Sequence, residues 1–224
     1  MKKLNNYFTM LVIILTIGQA FSQSEMTLHF GPTIPLGEFA DDDIYDSDSG
    51  LAGLGLGVGL AGYFPVSDNG LGIFGGLDIL FNPLNGDAKD MIEEDEEDSD
   101  FTFPKYFNIP LSTGLQYNYA VNTETKLFAK LGLALSFTKL TNFKWEEPGD
   151  DDYIESYELA TGFGFVLGGG ATLNDKIELG ITYMGLGNHK FEGKYEYGED
   201  SDSIEDFERL INMVYFTVGF RLNE

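Results

Sequence analysis

Catalysis needs nucleophiles, acids and bases at workable spacing, and this chain of 224 residues supplies few of them. His29 and His189 are its only histidines, and there is no cysteine. Thiolate metal sites, disulfides and cysteine nucleophiles are therefore excluded together. Ser112, Ser136 and Glu192 offer hydroxyls and a carboxylate that a histidine can serve, yet no spacing selects them as a catalytic set. The G-x-S-x-G, H-E-x-x-H and P-loop patterns do not occur. Carboxylates are the abundant group. Asp41, Asp42, Asp43, Asp46 and Asp48 form one run, Glu93 to Asp98 a second, and Asp150, Asp151 and Asp152 a third. Oxygen ligands of this kind suit Ca²⁺ or Mg²⁺, but Gly50 stands where an EF-hand loop would place its third ligand. The favoured reading is a solvated, self-repelling surface, on which divalent cations bind weakly and collectively, and not a specific ion site.

The whole composition leans the same way, with 37 Asp and Glu against 13 Lys and Arg and a formal net charge of -24. Proteins that bind nucleic acid neutralise phosphates with clustered bases, so that class of partner is excluded. Hydrophobic residues at 43% and aromatics at 14% are too many for a disordered acidic chain. Most of the sequence must pack against something apolar.

Residues 1–22 have the form of a secretory signal peptide. Lys2 and Lys3 give a positive start, Met10 to Gly18 an apolar run too short to span a bilayer, and Ala20-Phe21-Ser22 a small-residue cleavage site. The expected mature domain is 23–224.

Along that domain the dominant period is two. Gly53, Gly55, Gly57 and Gly59 alternate with Leu54, Leu56, Val58 and Leu60, where a helix would bear a heavy penalty for its glycines. Leu127, Ala129, Leu131, Leu133, Leu135 and Phe137 alternate with Phe128, Lys130, Gly132, Ala134, Ser136 and Thr138, and the same period runs through Ile177 to Tyr183 and Asn212 to Leu222. Met26–Thr33, Leu71–Asn82, Phe107–Tyr119 and Leu159–Leu173 are weaker examples, which makes eight strands. The connections 34–50, 83–106, 139–158 and 188–210 are long, while 66–70, 120–125 and 174–176 are short turns. Strict long and short alternation places all long loops at one end. The expected fold is all-β: an eight-stranded up-and-down antiparallel transmembrane β-barrel with four long acidic external loops and short periplasmic turns.

One strand face carries Leu, Ile, Val and aromatics, and the other is mostly Gly, Ala, Ser and Thr. A soluble barrel would need frequent charges on its outward positions. Asp78, Lys130, Glu178 and Arg221 fall on the inward parity, where two acids and two bases can satisfy one another as a lumen polar network. Phe74, Phe128, Tyr63 and Tyr215 also point inward and, together with many inward glycines, fit a filled lumen better than an open one. Phe64, Phe81, Phe107, Tyr117, Tyr119, Phe137 and Phe220 fall outward near strand ends, as interfacial girdles do.

FGPTIPLGEF (Phe30–Phe39), IPLSTGLQY (Ile109–Tyr117) and VYFTVGFRL (Val214–Leu222) resemble the small outer-membrane β-barrel proteins of Gram-negative bacteria, porin-family and broadly OmpX-like. The resemblance implies a place in the outer membrane, insertion by the barrel-assembly machinery, and lipid and lipopolysaccharide as surroundings. It adds no cofactor. The expected role is a monomeric, non-catalytic structural or surface-interaction protein whose acidic loops take divalent cations or cationic partners. A narrow pore, an envelope lipid-modifying enzyme and an accessory barrel of a secretion or assembly machine are the alternatives.

Overall fold

A computed structural model describes residues 24–46, 48–95, 99–146, 151–198 and 200–222. The signal-peptide segment, Glu96, Glu97, Asp98 and Asp150 lie outside the described residues. In chain order the described strands are β1 (Glu25–Pro35), β2 (Gly55–Pro65), β3 (Leu71–Pro83), β4 (Asp100–Thr102), β5 (Lys105–Ala120) and β6 (Thr125–Leu140). Then follow β7 (Phe143–Glu146), β8 (Tyr153–Tyr157), β9 (Leu159–Leu173), β10 (Ile177–Phe191), β11 (Gly193–Tyr197), β12 (Asp200–Ser203) and β13 (Phe207–Arg221). A helix, α1 (Gly86–Asp95), and a 3-10 turn at Gly37–Ala40 lie in the first two long connections.

Eight strands close into one barrel in the order β1-β13-β10-β9-β6-β5-β3-β2, and every neighbouring pair is antiparallel. Closure leaves no free edge, which a backbone in hydrocarbon requires because lipid offers it no hydrogen bonds. The barrel strands run from 11 to 16 residues, long enough to cross a bilayer at a tilt. Among the described residues no helix is long and apolar enough to do so.

The two faces of the wall sort as the alternation demands. Leu56, Phe163 and Leu131 point outward with relative exposures of 66%, 65% and 59%, amid a continuous belt of Leu, Ile, Val and Phe. Such an apolar surface far exceeds what a water-soluble monomer exposes. Inward residues interlock large against small. A Cβ on Gly59 would run into the Asp78 carboxylate and lie 2.6 Å from His29 Nε2. Phe74 occupies the space above Gly132, and Phe128 that above Gly170.

The structure departs from the simple alternation in three places. β2 begins at Gly55, not residue 51, because Leu51 adopts a φ of 54° and Gly50 packs against the Phe39 backbone, turning the chain out of line. In β10 the register shifts between Gly185 and Gly187, and Gly187 has a φ of 84°, which suits glycine. This bulge swaps the inward face from even to odd residues, so that His189 and Phe191 are buried beside Met184 and Leu186. Finally, the long connections are not free loops. β12-β11-β8-β7-β4 form a second, five-stranded sheet from three of them, at the end opposite the short turns.

The interlock generates a contrast. Gly59→Ala should destabilise the folded barrel by about 1–3 kcal/mol through overpacking. Gly75→Ala, whose new methyl meets nothing nearer than the Ser112 carbonyl at 4.0 Å, should be tolerated. Denaturant unfolding of both variants in detergent micelles decides it; equal midpoints would mean that the lumen has slack.

Candidate functional site

Two regions gather the side chains with chemical potential, the lumen and the external sheet. In the turn-side half of the lumen, His29 Nε2 lies 2.6 Å from Asp78 Oδ1, both residues buried. The His29 ring leans on Tyr215 at 5.7 Å between centroids. Arg221 bonds Glu25 at 2.9 Å, approaches Asp175 at 3.7 Å and donates to Thr172 at 3.2 Å. Lys130 sits over the Phe74 ring at 5.6 Å, within Coulomb range of Asp78 and Glu178.

The four lumen residues singled out by parity are thus grouped, but not as two mutual pairs. Asp78 takes histidine as its partner and Arg221 takes Glu25. Both partners, His29 and Glu25, stand outside the four residues that parity groups. His29 stands at the register position facing Gly59, and Gly59 faces Asp78, so the pairing spans the strand between them. The cavity bounded by Glu25, Thr27, Lys130, Glu178 and Arg221 measures about 20 Å³, room for one water.

The loop-side half of the lumen is filled mostly by apolar side chains, with Thr33, Asn82, Asn108 and Thr138 buried among them. Leu80, Tyr106, Val166, Met184, Leu186, Ile211, Met213 and Tyr215 form one buried cluster. Phe39, delivered by the 3-10 turn of the first long connection, caps it edge-on to Tyr106 at 5.0 Å. Ser136 and His189 are fully buried in this half, and Ser112 is 7% exposed. Glu192 is remote from them at the surface, paired with Lys190 at 3.1 Å. Ser136 and His189 both border Gly162, whereas the Glu192 carboxylate is turned to Lys190 and does not join them.

Above the lumen the same packing continues into the second sheet. Phe191 stacks on Phe207 at 5.2 Å, and Tyr157 meets Phe207 edge-on at 5.8 Å. Farther out, Phe101 stacks with Trp145 at 6.3 Å and Tyr153 with Tyr195 at 5.8 Å, while the register pairs Trp145 with Phe101 and Tyr153. One face of the sheet is therefore an aromatic ladder crossing four strands. Sequence reasoning missed it, although Phe143-Lys144-Trp145 and Tyr153 to Tyr157 carry a short period-two signal inside acidic surroundings.

Glu155 lies on the ladder face and accepts hydrogen bonds from the Tyr153 hydroxyl at 2.8 Å and from the Tyr157 hydroxyl. Burial, reinforced by this carboxylate, pushes both hydroxyls well above the ordinary tyrosine range. On the opposite face Lys144 is held by Glu146 at 2.6 Å and Asp152 at 2.8 Å, hydrogen bonds that raise its pKa.

The acidic run of the first connection turns its carboxylates back on its own chain. Asp41 accepts the Asp43 N–H at 3.2 Å, Asp43 that of Tyr45 at 3.0 Å and Asp46 that of Asp48 at 2.9 Å. Asp42 is half-buried. Asp151 lies near Gly198, and Asp152 is taken by Lys144. Among the described residues no three acidic or histidine side chains converge as metal ligands.

No protein-family model and no curated protein matches this chain. Among solved structures, a major outer membrane protein from Thermus thermophilus aligns over 89% of this chain and 99% of its own, with 13% identity and a TM-score of 0.50. The fold is that of an outer-membrane β-barrel. Neisserial surface protein A (12% identity, 89% and 96% coverage, TM-score 0.42) is also similar. So is Ail, the attachment invasion locus protein of Yersinia pestis (12%, 89% and 97%, 0.41). In outer-membrane barrels the long loops are usually the external ones, and here the long-loop end carries the second sheet.

The tyrosines set a pH limit on the sheet. Because the folded state raises their pKa, their contribution to stability is complete below the ordinary value of about 10 and is lost as pH climbs above it. Tyrosinate absorbance should rise late for these two groups, together with loss of the sheet's protease resistance. Titration of all tyrosines near the ordinary value would contradict the burial and the Glu155 bonds.

Proposed function

We propose that this protein is a non-catalytic surface protein of the outer membrane, in which a filled barrel serves as the anchor for a folded external sheet. The sheet is the observation that carries the reading. A barrel that merely needed to close could leave its long connections unstructured. Here three connections are hydrogen-bonded into five strands and continuous with the barrel core. The filled lumen supports an anchoring role over transport, since the aromatic and aliphatic plug and the small cavity leave little room for a solute. The burial of Ser136 and His189 supports a role without hydrolysis.

Acidic residues on the same end give contact a sign. Cations gather there diffusely, without a fixed ligand set, and can bridge to neighbouring lipopolysaccharide, while basic groups on macromolecules are drawn to the same end.

Two measurements test the reading. The native chain has no cysteine, so Ser201→Cys and Ser67→Cys provide unique labels at the external sheet and a short turn. A membrane-impermeant maleimide applied to intact cells should label only Ser201→Cys; the reverse pattern overturns the orientation. In planar bilayers the inserted protein should pass no unitary current, and steady channel steps would replace anchoring with transport.

A further inference from the structure

We propose that the aromatic ladder of the external sheet is a docking face for an arginine- or lysine-rich segment of a protein partner outside the cell. The inference rests on the external display argued above and names what the displayed surface takes.

Three observations point to a cation. First, the ladder face presents π-systems in a row, Phe101, Trp145, Tyr153 and Tyr195, all half-buried and joined through their strand register. A guanidinium or ammonium is attracted to the face of such a ring, most strongly to tryptophan. Second, the charged residues sharing that face are acids. Tyr195 stands opposite Asp202 and beside Glu155, and Tyr197 stands opposite Asp200. The sheet's lysines, Lys144 and Lys194, lie on the other parity, each bonded to carboxylates there. Third, the end of the ladder already holds a cation of the protein's own. Lys89 from α1 lies 5.8 Å from the Phe103 ring centroid, and Phe103 stacks on Phe101 at 5.7 Å.

Charge complementarity selects this occupant over others. A second copy of the chain would bring a net charge of -24 against the same sign. A neutral sugar would use the rings but bring no positive charge to Asp200 and Asp202. A run of Arg or Lys at alternate positions matches both, rings to the cations' faces and carboxylates to their N–H groups. Aromatic anchors flanked by acids are also the surface type that makes electrostatically steered contacts specific.

Trp145 is the only tryptophan, which gives the surface its own reporter. The full mature protein in nonionic micelles is titrated with a synthetic peptide of alternating arginine and glycine, and the same peptide with glutamine for arginine is the control. The arginine peptide should change Trp145 emission saturably and the glutamine peptide should not. Tyr195→Leu, which preserves charge and bulk, should weaken binding about two- to fivefold, and Tyr195→Phe should restore it. Asp200→Asn with Asp202→Asn should weaken binding and flatten its salt dependence. Cysteine labelling and the gel mobility of unheated samples confirm that each variant is folded and displayed.

Binding that ignores Tyr195→Leu and disappears with salt would reduce the effect to general acidity and overturn the proposal. A saturable response to a neutral oligosaccharide, with none to the arginine peptide, would assign the face to sugar instead. No response to either, with Ser201→Cys still labelled on cells, would overturn this inference while leaving the surface-protein reading intact.

Discussion

Eight strands closed on themselves enclose barely enough volume for the side chains that point inward, and this limit governs the rest of the molecule. Several large interior residues fit because a neighbouring position gives up its own side chain. Gly59 makes room for the His29 and Asp78 pair, Gly132 for Phe74 and Gly170 for Phe128. The glycine-rich composition is therefore the complement of the aromatic one. Packing to this density stiffens the wall and closes the path through it. With the interior occupied, the rims and the outer surface are what the proposed role relies on.

Polarity divides the interior along its length. Charged groups cluster toward the short turns, where Arg221 pairs with the half-buried Glu25 and His29 with the buried Asp78. The other half is mostly apolar, with Asn82, Asn108 and Ser136 buried in it, and its packing carries on into the second sheet through Phe191, Phe207 and Tyr157. This continuity explains how an end so rich in acids can still be ordered. Burial of aromatic surface supplies the cohesion, and Lys144, Lys190 and Lys194 each sit among carboxylates that would otherwise repel. Exposed pairs of this kind contribute little singly, so the aromatic packing dominates.

The barrel was legible in the sequence because a period of two held over ten or more residues marks a strand with two unlike faces, and the long and short alternation of connections orders the strands. Leu54, Leu56 and Val58 faced lipid as their parity required, and Tyr63, Phe74, Phe128 and Tyr215 faced the lumen. The strand ends were less legible: residues 188–210 read as a loop, yet β10 continues to Phe191 past a bulge at Gly185 and Gly187 that reverses its inward face, and β13 begins at Phe207. Pairing across the lumen was also beyond reach. Parity gives the face of Asp78 but not which base will lie across the strand from it, and a histidine was overlooked in favour of Lys130 and Arg221. The external sheet was hidden for a different reason. Its strands are three to five residues long, and the alternating carboxylates that solvate one face make each look like a charged loop. Only their assembly from three separate connections reveals the ladder.

The central claim is that the external end is a folded sheet rooted in a filled barrel. Native-state hydrogen exchange of the protein in bilayers tests it most directly. Amides paired between β8 and β11, at Tyr153 to Tyr157 and Gly193 to Tyr197, should exchange orders of magnitude more slowly than the unpaired backbone of the first connection, with the barrel slower still. Exchange of those amides at the rate of unstructured chain, with the barrel protected, would contradict it.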